Sequence, residues 1–161
     1  MAAKEYLLPV HDVLWRYETK KGEEKLEQPE LPDRPTVMVG LRLCDARAIS
    51  VLDSVYMDGR FRDPYYATRR EKLALVATVC DDPRWSCFCT SVGDLDEWAK
   101  GVDVLLTDLG DNVYAAPVTE KGKQLVQGSF FKDPTEDQTK KKAEVWENLK
   151  AMPKKPFAGK N

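Results

Sequence analysis

Histidine is nearly absent from this chain. The only one among 161 residues is His11, and nothing in the sequence signals a Ser/His/Asp or Cys/His constellation around it, which argues against hydrolytic catalysis of that kind. A basic excess is also missing. The formal net charge is −2, whereas nucleic-acid binding draws on a positively charged face. No apolar run approaches the roughly 18 residues that a membrane span needs. The opening MAAKEYLLPV lacks the basic start, apolar stretch and small-residue cleavage site of a signal peptide. A cytoplasmic location is therefore expected, with neither nucleic acid nor membrane as partner. There is no G-x-G-x-x-G and no Walker loop, so no nucleotide site is signalled. Internal repeats and low-complexity segments are lacking too. Cysteine is scarce, with four residues, but it is grouped. Disulfides rarely persist in the cytosol, so grouped cysteines there point to metal binding or redox chemistry.

A third of the chain (32%) is charged and 42% is hydrophobic, enough apolar matter for one ordinary globular domain. Residues 5–17 fit neither the helical nor the strand period. Residues 19–35, charged and containing Pro29, Pro32 and Pro35, read as an exposed loop. Val37 to Leu43 (VMVGLRL) has the form of a buried strand. Asp45 is placed to cap a following helix, with Ala46, Ile49, Leu52, Asp53 and Tyr56 at helical spacing. Asp63-Pro64 opens a second helix, acid as N-cap and proline in the first turn. Leu73 to Val79 is a second strand, Asp81 to Gly93 a loop, Leu95 to Ala99 a helical turn and Val102 to Thr107 a third strand. The turn Leu109–Asn112 leads into a hairpin partner at Val113 to Val118. A helix starts at Thr119. A charged helix from Glu136 to Met152 carries Val145, Trp146, Leu149 and Met152 on one face, followed by a Pro- and Lys-rich tail. This alternation predicts an α/β fold, a small mixed sheet with helices and with cysteines in loops at strand ends. Residues 1–135 form the α/β cluster-binding domain in this reading, and 136–161 a C-terminal helix and tail.

The cysteines follow the pattern C-x35-C-x6-C-x-C, as Cys44, Cys80, Cys87 and Cys89. Cys44 and Cys80 each follow a strand, and sites in open α/β sheets gather beyond the carboxyl ends of strands. Buried inert thiols usually lie inside strands or on apolar helix faces instead. Structural zinc favours C-x2-4-C pairs, whose sulfurs converge on one ion. In an extended Cys87-Phe88-Cys89, the outer Cα atoms would stand roughly 6.5 Å apart. That suits two corners of an iron–sulfur cluster better than one ion, unless a turn at Phe88 closes the gap. A redox dithiol would normally be C-x-x-C. Arg42 and Arg47 flank Cys44, and Arg84 lies in the second cysteine loop. They are candidates for offsetting cluster charge from outside the ligand set; set against that is plain surface solvation.

Several phrases also carry a family resemblance. In order, VGLRLCDARAISVLDSVYMD, DPYYATRRE, CFCTSVGD, VLLTDLGD and TEKGKQL resemble the iron–sulfur (beta) subunit of cytosolic nickel–iron hydrogenases, or sulfhydrogenases, and its counterpart in anaerobic sulfite reductase. KEYLLPVHDVLWRY resembles the segment ahead of that core, so the likeness runs over roughly residues 4–150. It implies an electron-transfer subunit relaying electrons between the rest of an oxidoreductase and a flavin-containing subunit, with no catalytic base of its own. It also implies that Cys44, Cys80, Cys87 and Cys89 ligate one 4Fe-4S cluster. The family's C-terminal ferredoxin-like domain, with C-x2-C-x2-C-x3-C-P runs, has no counterpart in this sequence, so residues 136–161 are expected to be the joint to it. A metal-free scaffold domain binding an oxidoreductase partner and a structural zinc module are the alternatives.

Three further groups have two readings each. Tyr65, Tyr66, Arg69 and Arg70 form either a docking patch or ordinary helix packing. Asp103, Asp108 and Asp111 do not match EF-hand spacing, and Gly110 with Asn112 favours a hairpin turn. His11 is a packed or exposed residue unless it completes a metal site short of one cysteine.

Overall fold

The computed structural model describes residues 3–31 and 34–154. A short helix α1 (Ala3–Leu7) precedes strands β1 (Arg16–Lys20) and β2 (Glu23–Glu27). Next come β3 (Thr36–Arg42), α2 (Leu43–Tyr56), α3 (Pro64–Lys72) and β4 (Leu73–Thr78). Then follow α4 (Cys89–Val92), α5 (Leu95–Ala99), β5 (Val104–Asp108), β6 (Val113–Pro117), α6 (Glu120–Leu125) and α7 (Glu136–Lys150). The main sheet has order β3-β4-β5-β6; β3, β4 and β5 run parallel and β6 is antiparallel. The expected mixed α/β sheet is thus present.

β4 explains the layering. Leu73 through Ala77 are all buried, as befits a central strand covered on both faces. Leu73, Leu75, Ala77 and Val79 pack with Leu7, Leu43, Ala46, Ile49, Tyr66, Leu95 and Leu149 from the helices. Each large side chain in this core contributes about 1.5–3 kcal/mol by leaving water. Behind the sheet, α6 approaches β5 closely through Gly122, which lies against the Asp103 carbonyl. Asp103 itself is buried. Its carboxylate accepts the Leu75 N–H at 2.8 Å and the Thr119 hydroxyl at 2.5 Å, tying β4 to the start of α6. Asp108 accepts the Gly110 N–H at 2.8 Å in the β5–β6 turn. Asp103 and Asp108 therefore serve the backbone, in keeping with the hairpin reading.

Local signals place the helices. Asp63 accepts the N–H groups of Tyr65 and Tyr66 at 2.9 and 2.8 Å with Pro64 at N1. Thr119 and Thr135 cap α6 and α7. Asp45 works from the third helical position, accepting the Arg42 N–H at 3.3 Å, so α2 starts at Leu43, earlier than a cap at Asp45 would place it.

The expected loop at 19–35 contains a two-stranded hairpin instead. Lys21 and Gly22 have φ of 51° and 86°, the left-handed pair that a type I′ turn requires. Every hairpin strand residue is exposed, so no apolar alternation marks the strands. They are matched by charge: Arg16 faces Glu27, Glu18 faces Lys25 and Lys20 faces Glu23.

The tyrosine–arginine cluster is structural. The Tyr66 hydroxyl donates to Asp53 Oδ1 at 2.7 Å, and Arg70 Nε reaches both Asp53 oxygens at 3.0 Å. Burial and the adjoining Asp53 carboxylate push the Tyr66 pKa up. Arg69 is buried and donates to Asp12 at 2.6 Å, and Tyr65 donates to the Leu14 carbonyl at 2.9 Å. Both pin the N-terminal segment, on which His11 is exposed. α7 joins the same core through Leu149, and Trp146 Nε1 donates to Asp96 at 2.8 Å. The end of the tail, 155–161, lies outside the described residues. No helix among the described residues is long and apolar enough to cross a membrane.

Candidate metal centre

Parallel pairing sets Arg42 of β3 opposite Thr78 of β4. Cys44 and Cys80 each lie two residues beyond that pair, at equivalent positions past the carboxyl ends of adjacent strands. Gly40 makes this possible. The register shifts between Val39 and Leu41, and Gly40 sits at φ 84°, a left-handed conformation glycine adopts without steric cost. The bulge turns Leu41 into the core beside Ala77 while Val37 and Val39 stay exposed, and it aims the chain into α2.

Cys44 occupies the first turn of α2, and Cys80 follows β4 in a loop. Cys87 is in the same loop, its N–H donating to the Arg84 carbonyl at 2.9 Å. Cys89 is the first residue of α4. Phe88 has φ −143° and ψ 15°, so Cys87-Phe88-Cys89 is a turn into a helix. The 6.5 Å or so expected of an extended segment does not apply, and this spacing no longer separates a cluster from a single ion. All four cysteines are free thiols.

Arg42 links them. Its Nη1 donates to Cys80 Sγ at 3.2 Å. That bond and the charge of Cys80, with smaller contributions from Cys44 and Cys87, raise the Arg42 pKa. Partial burial of its sulfur, then the charges of Asp45 and Cys80, push the Cys44 thiol up. Cys80 and Cys89 lean on the hydrophobic core, and a cavity of about 110 Å³ separates Cys80 and Pro83 from Val145, Asn148 and Leu149 of α7. Arg47, one turn along α2 from Cys44, donates to Ser50 Oγ at 2.9 Å and lines a cleft of about 400 Å³ with Trp98 and Gly93. Arg84 is exposed and enters the site through its carbonyl.

Among the described residues no three His, Cys, Asp or Glu side chains stand close enough to hold one metal ion. One further polar group belongs to this neighbourhood and has no signature in the sequence. Thr90, next to Cys89, is 7% exposed, and its hydroxyl has no hydrogen-bond partner among the described residues. A buried hydroxyl is normally partnered.

An α/β domain with thiols collected at the carboxyl edge of a parallel strand pair is the class that fold and site define. Over 107 residues the chain is 34% identical to the sulfhydrogenase 2 subunit beta of Pyrococcus furiosus, a match covering 65% of this chain and 31% of that relative. It supports the resemblance to the hydrogenase beta-subunit family across part of the chain. The chain spans about a third of the relative's length. No family model matches the chain, and no solved structure does.

Proposed function

We propose that this chain is an electron-relay module of a multi-subunit, hydrogenase-type oxidoreductase. In this reading Cys44, Cys80, Cys87 and Cys89 hold one iron–sulfur cluster of the 4Fe-4S type. The observation that carries it is the placement of Cys44 and Cys80 just past the carboxyl ends of the paired strands β3 and β4, with Arg42 bonded to Cys80. The hydrogenase-subunit match supports the complex to which such a module would belong. When bound, the cluster supplies one-electron exchange. The protein's own share is electrostatic. The Arg42 guanidinium offsets thiolate charge through a charge-assisted bond to Cys80. The first turn of α2 presents its positive end beside Cys44. Arg47 and Arg84 add positive charge further out. A flavin-containing subunit is the proposed exchange partner, and the cytosol the compartment.

Anaerobic reconstitution with iron and sulfide tests this. The wild-type chain should bind roughly four iron and four sulfide, as a Cys-ligated cubane does, and turn brown. Cys87→Ser and Cys89→Ser should lose that absorption. Full iron content in both variants refutes the ligand assignment. A colourless protein holding one zinc would make it a structural zinc module, and a metal-free one a scaffold.

A further inference from the structure

We infer that the β1–β2 hairpin is a self-association arm, whose β1 edge pairs antiparallel with β1 of a second copy of this chain about a two-fold axis at Tyr17. The hairpin forms a sheet of its own, separate from the four-stranded one, so both of its edges are open. Every one of its strand residues is exposed. A lone two-stranded hairpin is marginal in water, and stability comes with further strands and an apolar face. The apolar face is already there. Tyr17 stands opposite Leu26, Trp15 lies two residues before Tyr17, and the three are 60%, 62% and 55% exposed in that order. What is missing is the further strand. The arm is also held out to receive one. The Tyr65 hydroxyl of α3 donates to the Leu14 carbonyl at 2.9 Å and accepts from Gln28 Nε2 at 3.3 Å, bracing both legs at the base.

The charges select the occupant. Basic and acidic residues are balanced along the arm, so it does not call for a strongly charged partner. Lys25 of β2 is ion-paired with Glu27 on its own strand, whereas Arg16 and Glu18 of β1 enter no ion pair among the described residues. A two-fold axis at Tyr17 sets Arg16 of each copy opposite Glu18 of the other, Tyr17 opposite Tyr17, and Thr19 opposite Trp15. Opposite charges and aromatic pairs across neighbouring strands both stabilise a sheet. The same axis keeps the side-chain alternation in step, so Tyr17 and Leu26 of both copies line one face of a four-stranded sheet. Moving the axis to Glu18 brings Glu18 against Glu18 and Arg16 against Lys20, like charges in each case. Moving it to Thr19 runs the pairing into Lys21 and Gly22, whose left-handed backbone leaves the strand. β1 therefore specifies one register with itself. Such a pairing is isologous and closes at two copies, and its small area makes the association weak and concentration-dependent.

Sedimentation velocity over a wide concentration range should show a monomer–dimer equilibrium for the wild-type chain. Glu18→Arg and Arg16→Glu should each shift it to monomer, since like charges then meet across the axis. An equal mixture of the two should dimerise, because each variant supplies the charge that the other has lost. Crosslinking checks the register without altering those charges. Cα atoms facing across antiparallel strands stand roughly 4.5–5.5 Å apart, within disulfide reach. Under mild oxidation Tyr17→Cys should give covalent dimer well above the wild-type background, whereas Thr19→Cys, which faces Trp15, should stay at that background. A wild-type chain that is monomeric at every concentration overturns the inference and leaves the apolar face to another protein. A dimer that persists in both charge variants, or Tyr17→Cys crosslinking no faster than Thr19→Cys, overturns it as well.

Discussion

Alanine at position 122 should weaken the fold even though it suits the helix that carries it. Gly122 is buried in α6, where replacing glycine by alanine normally gains about 1 kcal/mol of helix propensity. Here an added Cβ would lie 1.8 Å from the Asp103 carbonyl oxygen and 2.6 Å from its carbon, with Val104 Cγ2 at 3.3 Å. The obstacle is backbone, so no rotamer change relieves it. Nor is that backbone free to retreat. The Asp103 carbonyl accepts the Val118 N–H at 2.8 Å, and the Asp103 N–H donates to Leu75 at 2.8 Å. α6 would have to lift away from β5, stretching the Thr119–Asp103 bond. Overpacking costs roughly 1–3 kcal/mol, and weakening two hydrogen bonds adds about 1 kcal/mol each at most. Against the propensity gain, these ranges span about 0–4 kcal/mol and centre on a net loss of about 2 kcal/mol. Urea titration followed by far-ultraviolet circular dichroism measures it, with exposed Gln124→Ala on the same helix as a control that should stay within about 0.5 kcal/mol of wild type. Equal or greater stability for Gly122→Ala would refute the close approach of α6 to the sheet. The loss should reach the cysteine site as well, since β4, held by Asp103, leads into Cys80 two residues past its end.

Gly40→Ala places a side chain at φ 84° with open space around it, so backbone strain alone should cost about 1–2 kcal/mol; a urea midpoint equal to wild type would count against the bulge. Tyr66→Phe removes a 2.7 Å bond to Asp53 but keeps the ring stacked on Tyr56. A loss of about 1.5–2 kcal/mol is expected for a bond to a carboxylate, measured by the same titration. The Trp146 bond, followed by that of Lys150, holds the Asp96 carboxyl below its ordinary value of 3.8. A lowered folded value means that this contribution is complete above pH 3.8 and disappears as pH falls through the folded value. Trp146→Phe should therefore be less stable than wild type at neutral pH, with the gap narrowing on acidification. A gap independent of pH would point to lost packing alone.

Much of the fold is written locally. Asp63-Pro64, Thr119 and Thr135 mark helix starts because a side-chain oxygen there meets backbone N–H groups within three residues. The short apolar runs at Leu73–Val79 and Val102–Thr107 suit buried strands in length and in β-branched content, and they coincide closely with β4 and β5. The runs at Val37–Leu43 and Leu73–Val79 place Cys44 and Cys80 after strands, and parallel pairing then brings them to one edge. What tertiary structure alone decided depends on partners distant in the chain. The hairpin at 16–27 becomes visible only once Glu18 faces Lys25 and Lys20 faces Glu23, because its strands have no apolar face to announce them. The bulge at Gly40 is defined by its register against β4. Arg42 and Arg47 look alike beside Cys44, yet pairing delivers Arg42 to Cys80, 38 residues away, while Arg47 turns to Ser50 on its own helix. Thr90 resembles any other threonine until packing buries it without a partner. Local patterns encode caps, turns and periodicity, whereas the surroundings of a side chain are set by whichever segments the sheet brings beside it.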